Sequence, residues 1–198
     1  MLFKLNKKNI KGRIFFASDE HFYHKNVINH DQRPFLNEQG EPDVELMNAE
    51  LIFRWNSVVT NHDIVFYLGD LAFCNQSKMK EVADSLNGEI HFIMGNHDNI
   101  KHIENTNRFK TVNYYAELWL RDGDEHHHFI MSHYPIYSWN RKHHNSIMVH
   151  GHCHHSIDEL EFHKENRIID VGVNGHNYFP ISFEEVIELI NTKDLKYV

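Results

Sequence analysis

The sequence predicts an α/β protein in which mixed β-sheets are covered by helices. Three observations predict it. Short apolar strands alternate with helical segments through the first half, the pattern of parallel strands joined by crossover helices. Strands dominate between Tyr115 and Val171, where Asp122-Gly123 marks a hairpin and antiparallel pairing is expected. A capped helix with one apolar face closes the chain.

The first strand is Arg13 to Ala17, RIFFA, an apolar run halted by Ser18-Asp19. The stretch His21 to Pro42 is polar and irregular, because Pro34, Gly40 and Pro42 oppose a helix there. A helix begins at Asp43, whose side chain can cap it; Val44, Met47, Leu51 and Val58 follow at helical spacing. Asp63 to Leu68, DIVFYL, reads as a buried strand that stops at Gly69-Asp70. A second helix over Lys78 to Leu86 ends at Asn87-Gly88, a common helix stop. Glu89 to Met94 is the third strand. Tyr115 to Leu120 and His127 to Met131 flank the hairpin turn, and Ser146 to Val149 and Ile168 to Val171 follow as strands. Ser182 with Glu185 three positions on is a capping box for a last helix that buries Phe183, Val186, Ile187 and Ile190.

The 198 residues suit one domain spanning 1–198. Apolar content of 41% and charged content of 24% are those of a soluble globular chain. A net charge of −8 argues against a broad basic surface for nucleic acid. Nucleic acid stays open as a substrate only, since a metal centre supplies local positive charge inside an acidic protein. The two cysteines, Cys74 and Cys153, make no disulfide framework, which points to a reducing compartment. There is no signal-like apolar region at the start and no run of about 18 apolar residues. The expectation is a cytoplasmic protein without a membrane partner.

Chemistry collects where strands stop. The five stops are Asp19-Glu20-His21, Gly69-Asp70, Gly95-Asn96-His97-Asp98, Ser132-His133 and His150-Gly151-His152-Cys153-His154. Each carries a metal-ligand residue type at a strand end, the rim on which α/β sheets build sites. One such piece is an ordinary turn. Five in this order point to a shared centre, and 19 histidines in the chain exceed what surface filling needs. In HGHCHH, His152 and His154 lie two apart, as on an extended segment whose alternate side chains share a face, with Cys153 turned into packing. A zinc finger would need further cysteine pairs, and Cys74 stands alone. His150 shares that face as a supporting residue; His155 reads as surface.

These blocks resemble the calcineurin-like metallophosphoesterase superfamily, whose pattern is D-x-H, G-D, G-N-H-[DE], a lone H, then G-H-x-H. All five blocks are present over residues 19 to 154. Among its members the chain is most similar to small bacterial and phage phosphoesterases that carry an RPF, here Arg33-Pro34-Phe35. The resemblance implies two β-sheets packed as a sandwich between helices. It implies a first metal on Asp19, His21 and His154, a bridging Asp70, and a second metal on Asn96, His133 and His152. His97 would stand by the leaving group as general acid, oriented by Asp98.

The ligand types agree with that. Two cations about 3.5–4 Å apart need a shared anion between them, and imidazole, carboxylate and amide donors suit Mn, Fe, Zn, Ni or Co. A water shared by the metals ionises near neutral pH and becomes the nucleophile. The expected activity is hydrolysis of a phosphomonoester or phosphodiester in a phosphorylated small molecule or nucleotide-like substrate. A protein-binding scaffold that has lost catalysis is the alternative, opposed by the retained His97 and the full ligand set.

Beyond the metal set, His24 and Asn140 are candidate substrate contacts. For Arg33 two readings stand: its planar fork holds a substrate phosphate, or the RPF run anchors a loop. Tyr134 and Trp139 wall the site or stack a substrate ring.

Overall fold

The computed structural model describes residues 1–196. Two five-stranded sheets form the framework, and the helices pack around them. The first sheet takes β2 (Ile14–Ala17), β3 (Ile64–Tyr67), β4 (Glu89–Ile93) and β5 (Thr111–Asn113), all parallel, with β10 (Ile181–Ser182) antiparallel on the β2 edge. The second sheet runs β1 (Leu2–Asn6), β6 (Ala116–Asp122), β7 (Glu125–Met131), β8 (Ile147–His150) and β9 (Ile168–Asp170). This is the mixed α/β sandwich that the motifs imply.

Alternation along the strands explains the layering. Phe16 and Phe66 face the second sheet and pack with Leu118, Leu120, Phe129 and Val149 between the sheets. Their neighbours Phe15, Val65 and Tyr67 point the other way. There α2 (Val44–Val58) and α3 (Gln76–Ser85) cover them with Met47, Leu51, Trp55, Met79 and Val82. Asp43 caps α2 by accepting from the amides of Glu45 and Leu46. The capping box of α6 (Phe183–Asn191) is present, and α6 buries Phe183, Val186 and Ile190, leaving Ile187 half-buried.

Two expectations need correction. The strands from β6 to β9 are not mainly antiparallel: β6 and β7 pair that way, while β7, β8 and β9 are parallel. The connection from β7 to β8 is an irregular crossover, which carries no helical period to read. The stretch after His21 contains a short helix, α1 (Lys25–His30), which the prolines following it do not prevent. Strands β1, β5 and β10 were not legible, being short or set in polar sequence. No helix among the described residues is long and apolar enough to cross a membrane.

The parallel arrangement is what positions the site. β2, β3 and β4 run the same way, so the segments after Ala17, Tyr67 and Ile93 emerge on one rim. β7 and β8 deliver theirs together from the second sheet. Backbone bonds tie the strand ends within each rim, Gly151 donating to His133 O at 3.0 Å and Asp19 to Gly69 O at 3.0 Å, and Val173, just past β9, donates to Ser18 O at 3.0 Å to join the two rims.

Candidate metal centre

Five strand ends converge, and the predicted ligands form two groups. Asp19, His21 and His154 place one donor atom each within 4.8 Å of one another, as do Asp70, His133 and His152. Asn96 joins the second group, its Oδ1 lying 2.9 Å from His133 Nε2. Asp70 sits between them. Its Oδ2 is 3.4 Å from His133 Nε2 and 3.9 Å from His21 Nε2, so one carboxylate oxygen faces both groups.

The turns that carry these side chains are tight. Asp19, His21, Asp70, His152 and His154 all have φ between 46° and 68°. Left-handed backbone costs most residues about 1 kcal/mol or more, though Asp and His tolerate it better. Five such residues around one point is strain concentrated at a site. The His152 to His154 segment is thus a run of turns, not the extended strand expected, and the two imidazoles are aimed by backbone twist. Gly69, at φ 97°, permits a close approach: a Cβ there would press on the backbone of Gly95 and the ring of His133.

The hydrogen bonds leave donor atoms aimed at the middle of each group. His133 Nδ1 donates to Leu68 O at 2.7 Å, which leaves Nε2 as a lone-pair donor. That nitrogen faces the Asn96 carbonyl oxygen and the Asp70 carboxylate, three acceptors that need a cation or a proton among them. In the first group, Asp19 Oδ1 is buried without a hydrogen-bond partner. His154 Nδ1 is bonded to Asp31 Oδ2 at 2.7 Å, and its Nε2 lies 3.1 Å from His21 Nε2. The residues therefore fit two cations.

Burial lowers the His154 pKa, but the Asp19 carboxylate 3.6 Å away and the bond to Asp31 outweigh that and raise it to about 10. In the metal-free protein the imidazolium proton on Nε2 then stands where a cation would. A metal must displace it, so first-site affinity for Mn²⁺ should tighten by about tenfold per pH unit below that value. Asp31→Asn should flatten this pH dependence, because without the Asp31 bond the Nε2 proton leaves at a lower pH and competes less with the metal. Calorimetric titration at pH 6.5 and 8 reads the change; the same pH dependence in the two proteins would remove Asp31 from the site. Sequence spacing carried no sign of Asp31, whose role depends on α1 folding back over the His154 turn.

His97 is 46% exposed at its side chain, with Nε2 4.0 Å from Asp70 Oδ2. Its backbone amide donates to Asp70 Oδ1 at 2.9 Å. Asp98 does not bond the His97 ring as expected. Its carboxylate instead accepts from the amides of Asp70, Gly95 and Leu71, clamping two ligand loops together. Two parallel strands ending side by side leave those amides unpaired, and Asp98 is the nearest anion.

The substrate candidates divide. His24 lies beside the centre: its ring meets Phe73 at 4.1 Å and His21 at 5.8 Å, while its Nδ1 caps α1. Asn140 is turned away, its amide donating to the Glu117 carboxylate. Trp139 is buried and bonds Ser146, so it serves a small core cluster rather than the site. Arg33 is a correction. Only 2% exposed, it donates to the carbonyls of Glu20 at 2.8 Å and Asp19 at 2.9 Å, holding the first ligand turn from beneath. Arg33→Met should cost about 3 kcal/mol by stranding those buried carbonyls. Urea denaturation measures it; unchanged stability with a raised KM for phosphoesters would return Arg33 to the substrate.

His150 is buried, donating from Nδ1 to Gly151 O at 2.8 Å and meeting His163 Nε2 at 3.1 Å, a support for the histidine turn. His155 is not a surface residue. Its ring nitrogens are bonded to Asp158 Oδ2 at 2.6 Å and Gly172 O at 2.8 Å. Burial lowers its pKa, but Asp158 and Asp170 prevail and raise it to about 9. With both nitrogens carrying bonded protons, this cluster braces the turn after His154.

Comparison with known proteins gives the following. Over 182 residues the chain is 36% identical to "Uncharacterized protein MJ1445" of Methanocaldococcus jannaschii, covering 90% of this chain and 91% of that one. It is 26% identical over 213 residues to "Gene 66 protein" of Mycobacterium phage L5, covering 89% and 93% respectively. The crystal structure of the protein of unknown function AQ665 from Aquifex aeolicus matches the fold with a TM-score of 0.65 at 22% identity, over 89% of this chain and 98% of that one. No family model matches.

Proposed function

We propose that the chain, which belongs to the same family as the Methanocaldococcus jannaschii protein MJ1445, is a two-metal-dependent phosphoester hydrolase of the calcineurin-like metallophosphoesterase type. The observation that carries this reading is Asp70 Oδ2, which faces His133 at 3.4 Å on one side and His21 at 3.9 Å on the other. Asp19, His21 and His154 would hold one divalent cation and Asn96, His133 and His152 the other, with Asp70 shared. The donor set suits manganese first, with Fe, Zn, Ni or Co as alternatives. Such a pair of cations, when bound, offsets phosphoryl charge and acidifies water.

The chain's own residues supply orientation and the proton. Asp98 locks the Asp70 and Gly95 loops through three amides, so the bridging carboxylate is placed before any substrate arrives. His97 stands on the open side of the centre, its backbone pinned to Asp70 Oδ1. From there its ring, when protonated, gives a proton to the departing oxygen. The substrate class is a phosphorylated small molecule or nucleotide-like ester; the net charge of −8 disfavours long polyanions held by surface attraction. Cys74 and Cys153 are both free thiols, which supports placing the protein in the cytoplasm.

The test is an assay of chelator-stripped protein on bis-p-nitrophenyl phosphate and p-nitrophenyl phosphate, with and without Mn²⁺. Hydrolysis should depend on added metal and vanish with excess chelator. A protein that binds two cations yet turns over neither ester would be the non-catalytic scaffold.

A further inference from the structure

The rim of the metal centre carries two exposed aromatic rings that the fold does not need. Phe73 is 39% exposed and Tyr134 48% exposed. Phe73 lies in the run Leu71-Ala72-Phe73-Cys74, in which Leu71 and Ala72 are buried core and Cys74 packs against that core, while Phe73 alone turns outward. It is nonetheless held firmly. Its amide donates to Phe22 O at 2.8 Å, and Phe22 itself is fully buried and bridged to Ala72. Its ring is wedged between His24, edge-on at 4.1 Å, and His97, tilted at 4.7 Å. The ring is thus held in place with its outer face open to solvent beside His24 and His97, where a flat ligand ring can stack on it. Tyr134 is placed otherwise, against His133 and His152 at 5.2 Å and 4.7 Å, on the flank of the second ligand group.

Resting on the hydrolase reading above, we propose that Phe73 is a specificity-determining residue that stacks the base of a nucleoside leaving group. The argument is one of sides. His97 protonates the departing oxygen, so the departing alcohol lies on the His97 side, and the ring packed on His97 is Phe73. The two-fold chemistry of the site narrows the class further. A phenolic leaving group needs little help from an acid, whereas the alkoxide of a sugar hydroxyl needs the proton that His97 provides. A flat ring joined to an alkyl alcohol is a nucleoside. One or two nucleotides suffice to reach Phe73, in keeping with a chain too acidic to gather a long polyanion. In the reaction, water adds its hydroxide to phosphorus and gives up a proton to solvent, the phosphorus–oxygen bond to the nucleoside breaks, the nucleoside oxygen leaves with the proton from His97, and His97 takes a proton back from solvent.

The test compares esters that differ only in the base. Adenosine 5′-monophosphate is set against ribose 5-phosphate, and a dinucleoside monophosphate against its analogue lacking the base on the leaving side, all with the Mn²⁺-loaded full chain. The wild type should favour the base-bearing ester of at least one pair by about tenfold in kcat/KM, the scale of one base stacked on one ring. Phe73→Ala should bring that ratio close to one, and Phe73→Tyr or Phe73→Trp should restore it. Circular dichroism and Mn²⁺ titration of Phe73→Ala confirm that fold and centre persist. A wild type that hydrolyses both members of each pair equally, or a Phe73→Ala protein that keeps the preference, overturns the stacking role and leaves the hydrolase reading standing. Failure to hydrolyse any ester, bis-p-nitrophenyl phosphate included, removes the hydrolase reading and the leaving-group assignment with it.

Discussion

Asp70→Asn should lower the hydrolysis of bis-p-nitrophenyl phosphate by at least about 10³-fold, the largest single effect expected in the chain. Asparagine keeps the shape of the side chain and the oxygen that accepts from the His97 amide at 2.9 Å. What it removes is the negative charge lying between His133 and His21, 3.4 Å and 3.9 Å from their Nε2 atoms. Two divalent cations at close range repel strongly unless an anion lies between them. The variant should therefore bind one Mn²⁺ equivalent where the wild type binds two. At about 1.4 kcal/mol for each tenfold in rate, the loss amounts to roughly 4 kcal/mol of transition-state stabilisation. Metal stoichiometry by elemental analysis and initial rates on the same preparation decide it. Full activity with two bound cations in Asp70→Asn would show that Asp70 bridges nothing.

His97→Ala should divide substrates by their leaving groups. For an alkyl ester such as a nucleotide, the rate should fall by about 10²–10⁴-fold, the usual contribution of a positioned general acid. For bis-p-nitrophenyl phosphate, whose leaving phenol departs without a proton, the fall should be roughly tenfold or less. The ring is half exposed and makes no hydrogen bond that the fold depends on, so stability and metal content should persist. A plot of log kcat against leaving-group pKa should be steeper in the variant than in the wild type. Equal slopes would mean that the proton comes from elsewhere.

Much of this site was legible because metal ligation leaves a local signature. Asp19, His21, Asp70, Asn96, His133, His152 and His154 each sit just past an apolar run, and a side chain past a strand end reaches the rim whichever sheet the strand joins. The helices were legible for similar reasons: Asp43 and the Ser182–Glu185 pair act on amides two or three residues away, so their effect is written locally. Asp98 and Asn140 were misread, and Arg33 was left between two readings, because a carboxylate, an amide and an arginine have many partners open to them. Only the folded chain shows that Arg33 reaches back to the carbonyls of Asp19 and Glu20.

By itself the sequence determined the alternation of strands and helices, the capped helix ends and the inventory of donors at the strand stops, since each follows from residues adjacent in the chain. Tertiary structure alone decided which donors come together, that Asp31 holds His154, that His155 is tied down by Asp158 and Gly172, and that Phe73 rather than Trp139 shows its ring beside His97. These depend on how two parallel-stranded rims meet across a sandwich. Some of the contacts span more than a hundred positions, as between His21 and His154 or His154 and Asp31, and no local pattern encodes those.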